Sequence, residues 1–398
     1  MSKQHQQTLL VIAALVVMWL LFAWATDVIW ISQHGDSVGY DFYPRWYGAR
    51  EMLQGNNPYS LEINRVILAD MGFPEFIPYK HNFSYLATIT FTLLPFWALP
   101  FFTSLTLWSG LQLLMILALP ALTFIVLLDW RIKPPLLALL IFFSSLVYRQ
   151  TMISYVLGQF IVFCFGFILI AYWQILRGKP WLVALALIAA TTRPEGVIFA
   201  SAILFDLLLQ RRFRPIIIFA ALMGGLFLLS VIWIGWWIPD FLEAADGYRD
   251  CCDYTEPTQV IGVDILARIL WVAVIGWAGW MFWQMRALPD RERIAWSLSV
   301  LFIAYLLIFT QSKGYTLIYA LFPIWVIVWA DKGRFWTVVF AVIVLSSPWL
   351  YFGLESTFEN STQVEQLATP LILLVALTIY WRRYSAHYEP EITSSQAA

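Results

Sequence analysis

The chain has 398 residues, 61% of them hydrophobic and only 12% charged, whereas a soluble domain carries about 25% charged residues. Its 24 Lys and Arg balance 25 Asp and Glu, which leaves no basic footprint for nucleic acid. Apolar runs recur along the whole length at the size a hydrocarbon core about 30 Å thick demands, so the composition specifies an all-α polytopic membrane protein.

The first run, TLLVIAALVVMWLLFAWATDVIWI (8–31), is too long for the apolar region of a signal peptide and lacks a small-x-small cleavage site, so it reads as a retained anchor. Further runs fall near 83–100, 103–128, 135–149, 158–176, 181–191, 196–210, 215–238, 265–285, 293–310, 316–330, 335–351 and 367–382. Between them stand short basic links: RIK (131–133), RGK (177–179), RRFR (211–214), RALPDRER (286–293), DKGR (331–334) and RR (382–383). The positive-inside rule puts these links in the cytoplasm. They all fall there only if 83–128 makes one net crossing, so 83–100, interrupted by Pro95 and Pro100, reads as re-entrant or interfacial. The result is a bundle of about twelve transmembrane helices with both termini cytoplasmic. Residues 1–384 form one integral-membrane domain, and 385–398 an unstructured tail.

The outer regions are then 32–82, 150–157, 192–195, 239–264, 311–315 and 352–366. Two are long enough to suggest a task of their own, 32–82 and 239–264. In the first, Pro44 suits a helix start and Gly55 its C′ end, which predicts a short helix over 44–54. Phe42, Tyr43, Trp46 and Tyr47 favour the headgroup level, so this helix should lie along the membrane surface. LEINRVILAD (61–70) is a second short helix. Asp41 precedes the first and has two readings. It is a helix N-cap, or a carboxylate placed to take a proton from a hydroxyl nucleophile.

Three outer turns end apolar helices with a cation: Arg149 in YRQ, Arg193 in TTRPEG and Lys313 in QSKGY. Each is either a headgroup or structural contact or a holder of a lipid phosphate, for which a guanidinium fork suits two oxygens at once. Runs 181–191 and 196–210 are short and meet at TTRPEG, as broken helices do where backbone lines a polar site. Glu195 is the natural partner of Arg193. Gln159, at its helix start, could bond a phosphate or only the loop. His81 and Asn82 open the segment after the first loop, and Arg45 and Tyr315 complete the candidates. In 239–264 the carboxylates match no calcium-loop spacing, and a solvated face is the simpler reading. Cys164 lies in an apolar helix. Cys251 and Cys252 are neighbours that could bridge only with strain. No metal-ligand spacing appears.

Asp41 followed by Tyr47, Ala49, Leu53, Gly55 and Asn57-Pro58-Tyr59 resembles the first-loop signature of glycosyltransferase family 87. LPFWALP (94–100), LGQFIVF (157–163), RGKPWLVALALIAATTRPEG (177–196) and RRFRP (211–215) follow in the order of that family's motifs. The resemblance covers most of residues 36–330. It implies a GT-C-like membrane enzyme with a polyprenyl-phosphate sugar, mannose in the family, as donor substrate. It further implies transfer with inversion on the outer face of the cell membrane to a lipid-linked or glycan acceptor, with Asp41 as the base. No cofactor is implied, and dependence on a divalent metal is left open. The rival classes are a transporter or flippase, whose ionisable groups would stand at mid-membrane, and a non-catalytic envelope assembly protein.

Overall fold

A computed structural model describes residues 39–127 except 74 and 84, 135–251, 264–308 except 287, 314–354 and 361–396. The first apolar run, Lys313 and Cys252 lie outside the described residues, as does the acidic stretch 252–263. Among the described residues all regular structure is helical. The chain divides into two compact units, one from the described parts of Ile29–Ala118 and Ile153–Tyr254, the other from those of Leu119–Met152 and Thr255–Ala398.

In the first unit, α1 (Tyr43–Leu53) and α2 (Leu61–Asp70) stand where the first loop predicts short helices. Ser60 caps α2, its hydroxyl accepting from Ile63 N. Next come two short turns of helix, α3 (Thr88–Thr92) and α4 (Leu94–Trp97), in place of a span over 83–100. The long α5 (Phe101–Leu127) begins in this unit. Beyond it come α8 (Ile161–Leu176), α9 (Pro180–Ala190), α10 (Pro194–Leu209), α11 (Phe213–Ile234) and α12 (Ile238–Cys251). Buried Val183, Ala184, Ala186, Leu187 and Ala190 on α9 let it pack closely on α8, since small side chains permit near backbones. α10 buries Gly196, Phe199, Ala200, Ile203 and Leu207, one stripe at helical spacing.

The two long loop regions, 32–82 and 239–264, meet here. Asn57 Nδ2 donates to Asp240 Oδ2 at 2.5 Å, Tyr79 OH to Glu243 Oε1 at 2.6 Å, and Asn82 Nδ2 to the Ala244 carbonyl at 3.0 Å. The start of 239–264 is therefore a helix bound to the first loop, with Asp240 partly buried and Glu243 exposed at the contact. The aromatic residues expected at the headgroups divide. Phe42 and Trp46 are buried, Trp46 donating to the Leu99 carbonyl at 2.9 Å, while Tyr43 and Tyr47 are half-exposed. Ring-to-ring packing against Trp97, Phe101, Trp108 and Phe160 draws the first two inward.

The second unit holds α6 (Pro135–Val147) and the start of α7 (Arg149–Val156). It continues with α13 (Asp264–Met285), α14 (Asp290–Ile308), a 3₁₀ segment (Gly314–Ala320), α15 (Leu321–Ala330), α16 (Phe335–Leu354) and α17 (Ser361–Gln396). The 3₁₀ segment and α15 are buried over most of their length. Indole donors tie the layers, Trp325 to Ser144 Oγ at 3.0 Å and Trp277 to Thr378 Oγ1 at 2.8 Å, which is how a buried indole keeps its N–H satisfied. α17 runs to Gln396, past Tyr384 where an unstructured tail was expected. Residues 382–389 contain no Gly or Pro, and Pro390 stands inside the helix.

Among the described residues five helices are long and apolar enough to cross a bilayer, or six if α6 and α7, bent by 45°, form one span. Twelve crossings would need the shorter apolar helices as well. α11 and α13 are buried over only 6% and 17% of their spans, with Ile217, Leu228, Ile232, Val272 and Trp283 facing outward. Such surfaces suit lipid, and the chain is a helical membrane protein.

The Glu243 hydrogen bond, then burial and the nearby Glu243 and Asp240 charges, push the Tyr79 phenol up to about 12. The fold thus favours neutral Tyr79. Its contribution is complete below the ordinary phenol value of 10 and is lost as pH rises through about 12. Thermal unfolding of the purified protein between pH 9 and 12 should show Tyr79→Phe less alkali-sensitive than wild type.

Candidate functional site

The site begins with backbone. Gly39 N donates to the Val156 carbonyl at 2.9 Å and Asp41 N to the Leu157 carbonyl at 3.1 Å, which joins the entry of α1 to the loop before α8. That register sets Asp41 beside Gln159. Gly158, at φ +70, makes the turn between them, and a Cβ there would stand 2.8 Å from Phe42 Cβ. The N-cap of α1 is Phe42, without a side-chain cap bond. Asp41 is therefore not a cap, and its carboxylate is directed elsewhere.

Gln159 Nε2 donates to Asp41 Oδ2. Gln159 Oε1 accepts from two guanidinium groups, Arg45 Nη2 at 3.0 Å and Arg193 Nη1 at 2.5 Å. Since guanidinium nitrogens only donate and a carboxylate oxygen only accepts, this pattern admits one orientation of the amide. Arg45 Nη1 also donates to the Asp41 carbonyl, and Arg193 Nε pairs with Glu195. Five candidates from the sequence, Asp41, Arg45, Gln159, Arg193 and Glu195, thus form one connected network. Arg45, Gln159, Arg193 and Glu195 are buried, whereas Asp41 is half-buried.

Each member is held by its element. Arg45 lies one turn into α1, and its guanidinium carbon stands 4.7 Å from the Tyr85 ring centre and 5.4 Å from that of Phe160. Cation–π contacts of this kind are worth about 2 kcal/mol when desolvated. Arg193 is the extended N-cap of α10, with Pro194 following and Glu195 in the first turn, where the helix dipole favours an acid. Gly196 is needed by contact, because a Cβ there would stand 1.8 Å from the Ala190 carbonyl oxygen. Gln159 is clamped through its own backbone. Its N–H donates to Ser154 O at 2.8 Å, Gln112 Nε2 donates to its carbonyl, and Trp108 Nε1 donates to Gly158 O at 3.1 Å. Trp108 packs on Phe160 with ring centres 4.1 Å apart.

His81 and Tyr40 border the network. His81 has φ +51, stacks on Phe73 at 5.2 Å and meets Tyr40 edge-on at 4.8 Å. Burial, then the Asp41 charge, raise Tyr40 above the ordinary phenol range. Asn82 is occupied by Ala244 and serves the loop packing. Arg149 and Tyr315 belong to the other unit, Arg149 with its guanidinium 4.0 Å over the Phe352 ring and Tyr315 buried in the 3₁₀ segment. Lys313 lies outside the described residues. No group of three His, Cys, Asp or Glu side chains among the described residues is placed to hold a metal.

Sequence reasoning missed Gln112, Trp108 and Tyr85, which sit in apolar runs that carry no polar motif. It also missed Glu365 on α17, which is 1% exposed and hydrogen-bonded by Gln150 near Arg149. Comparison of the chain with protein-family models, curated proteins and solved structures finds no match.

Gly158→Ala should lower stability by about 1–3 kcal/mol, from the left-handed backbone and the clash at Phe42. Gly178, at φ +63 with open space around it, provides the comparison. Gly178→Ala should cost about 1–2 kcal/mol from backbone strain alone, and denaturant unfolding in detergent would separate the two.

Proposed function

We propose that the chain is a membrane glycosyltransferase that moves a hexose, mannose by the resemblance above, from a polyprenyl phosphate to a lipid-linked or glycan hydroxyl on the outer face of the cell membrane. The observation that carries this reading is a half-buried carboxylate, Asp41, tied through one amide to two buried guanidinium groups. Asp41 takes the proton of the acceptor hydroxyl as its oxygen attacks the anomeric carbon from the side opposite the phosphate. The bond from that carbon to the phosphate oxygen breaks, and configuration inverts. The sugar phosphodiester carries one negative charge, while the departing lipid phosphate carries two. Arg45 and Arg193 counter a charge that grows along the reaction, so their attraction is larger in the transition state than in the bound donor. Glu195 holds the Arg193 fork in place.

Carriage is the second reading, favoured by Glu365, a buried acid near one end of the apolar span of α17. Buried ionisable groups on membrane helices mark substrate paths in carriers. Movement of a polar or lipid-linked substrate across vesicles without a covalent product would select it.

Asp41→Asn keeps the Gln159 contact geometry but removes the base. Transfer from a radiolabelled polyprenyl-phosphate sugar in membranes should fall by about 10²–10⁴-fold, with thermal stability near wild type. Wild-type rates in this variant would remove Asp41 from the mechanism.

A further inference from the structure

The charges of the network are equal in number but unequally matched. Arg193 is paired with Glu195. Arg45 is only 7% exposed, and among the described residues no carboxylate side chain pairs with it; its Nε has no hydrogen-bond partner. Its charged end rests on two aromatic rings, one main-chain carbonyl and the Gln159 amide oxygen. Removing an ion from water costs several kcal/mol unless a counter-charge replaces the solvent, and a neutral amide oxygen supplies only part of that. Beside Arg193, Thr192 is 4% exposed with its Oγ1 also unpartnered. Two guanidinium groups thus converge on one neutral acceptor atom, and one of them, that of Arg45, keeps a donor without a partner.

The geometry points to an anion site at Arg45 and Arg193 that takes a phosphate group, with Gln159 Oε1 occupying the place of a phosphate oxygen until the ligand displaces it. Arginine forks match phosphate oxygens in pairs, and such charge-assisted bonds are about twice as strong as those to a neutral acceptor. Displacement has a second effect, because the same amide holds Asp41 through Nε2. When Oε1 leaves the two arginines, the amide turns and its hold on the Asp41 carboxylate is released. A phosphate ligand therefore frees the carboxylate, and an empty site keeps it engaged. This ordering, donor before acceptor activation, rests on the transfer reading above. The anion site stands without it.

The experiment uses the full chain in lipid nanodiscs and measures direct binding of two probes, inorganic phosphate and farnesyl phosphate. Farnesyl phosphate should bind wild type, and Arg45→Gln should weaken it by about 10- to 100-fold, the equivalent of one charged hydrogen-bond partner. Arg45→Lys keeps the charge without the fork and should weaken it by about fivefold, which covers the case in which the glutamine variant does not fold. Gln159→Leu removes the internal occupant and should tighten binding several-fold, an effect that structural damage would not produce. Inorganic phosphate bound with the same dependence on Arg45 identifies the phosphate group alone as the ligand; binding of farnesyl phosphate only identifies a lipid headgroup. Absence of binding by both probes overturns the inference, as does unchanged affinity in both Arg45 variants or weaker binding in Gln159→Leu. A wild type that binds phosphate and yields no glycosidic product would sink the transfer reading and leave the site standing. Transfer that proceeds while Arg45→Gln binds farnesyl phosphate like wild type would do the reverse.

Discussion

One amide side chain links Asp41, Arg45 and Arg193 in the first unit. Gln159 has a carboxylate on its nitrogen and two guanidinium groups on its oxygen, and its own backbone is bonded on both sides. A freely rotating glutamine in that place would cost entropy to order at every encounter. Here the ordering is done by the backbone turn at Gly158 and by the pairing of residues 39–41 with 156–157. The first loop and the start of α8, far apart in sequence, share one short stretch of main-chain hydrogen bonding, and the polar network is the side-chain expression of it.

The surroundings make that network matter. Phe42, Trp97, Trp108 and Phe160 form a contiguous aromatic wall, with Tyr85 against Phe160 on the Arg45 side. Rings exclude water and lower the local dielectric, so each charge in the network interacts more strongly and is costlier to leave unmatched. The same rings explain why α1 turns its largest aromatic faces inward. A surface helix would spend Phe42 and Trp46 on headgroups; here they bury apolar area against α4 and α5 and position Arg45 at the edge of the wall.

Much of this was legible in the residues and some was not. The short helices of the first loop could be read because Pro44, Gly55 and Pro58 punctuate them. Asp41 stood out just before the first-loop helix, and Gln159, Arg193 and Glu195 as polar residues at the ends of apolar runs. The partnership among them could not be read, since Arg45 and Gln159 are joined across 114 positions by a main-chain register that leaves no side-chain pattern. Gln112 and Trp108 were hidden for a related reason: each bonds to a carbonyl, and any residue can supply one. Arg149 and Lys313 were grouped with Arg193 because each is a cation in a turn that ends an apolar run, a criterion that fixes depth and says nothing of neighbours. Counting apolar runs gave the class, but α9, at 11 residues, shows why it could not give the number of crossings. A run of apolar residues can be half a passage.

That half-length has a chemical consequence. At 1.5 Å per residue α9 rises roughly 16 Å, about half of the hydrocarbon thickness, before the chain breaks at Thr191–Arg193. The break is not open backbone: Thr191, Thr192 and Arg193 are all buried in the first unit, so the groups that leave the helix are covered by protein.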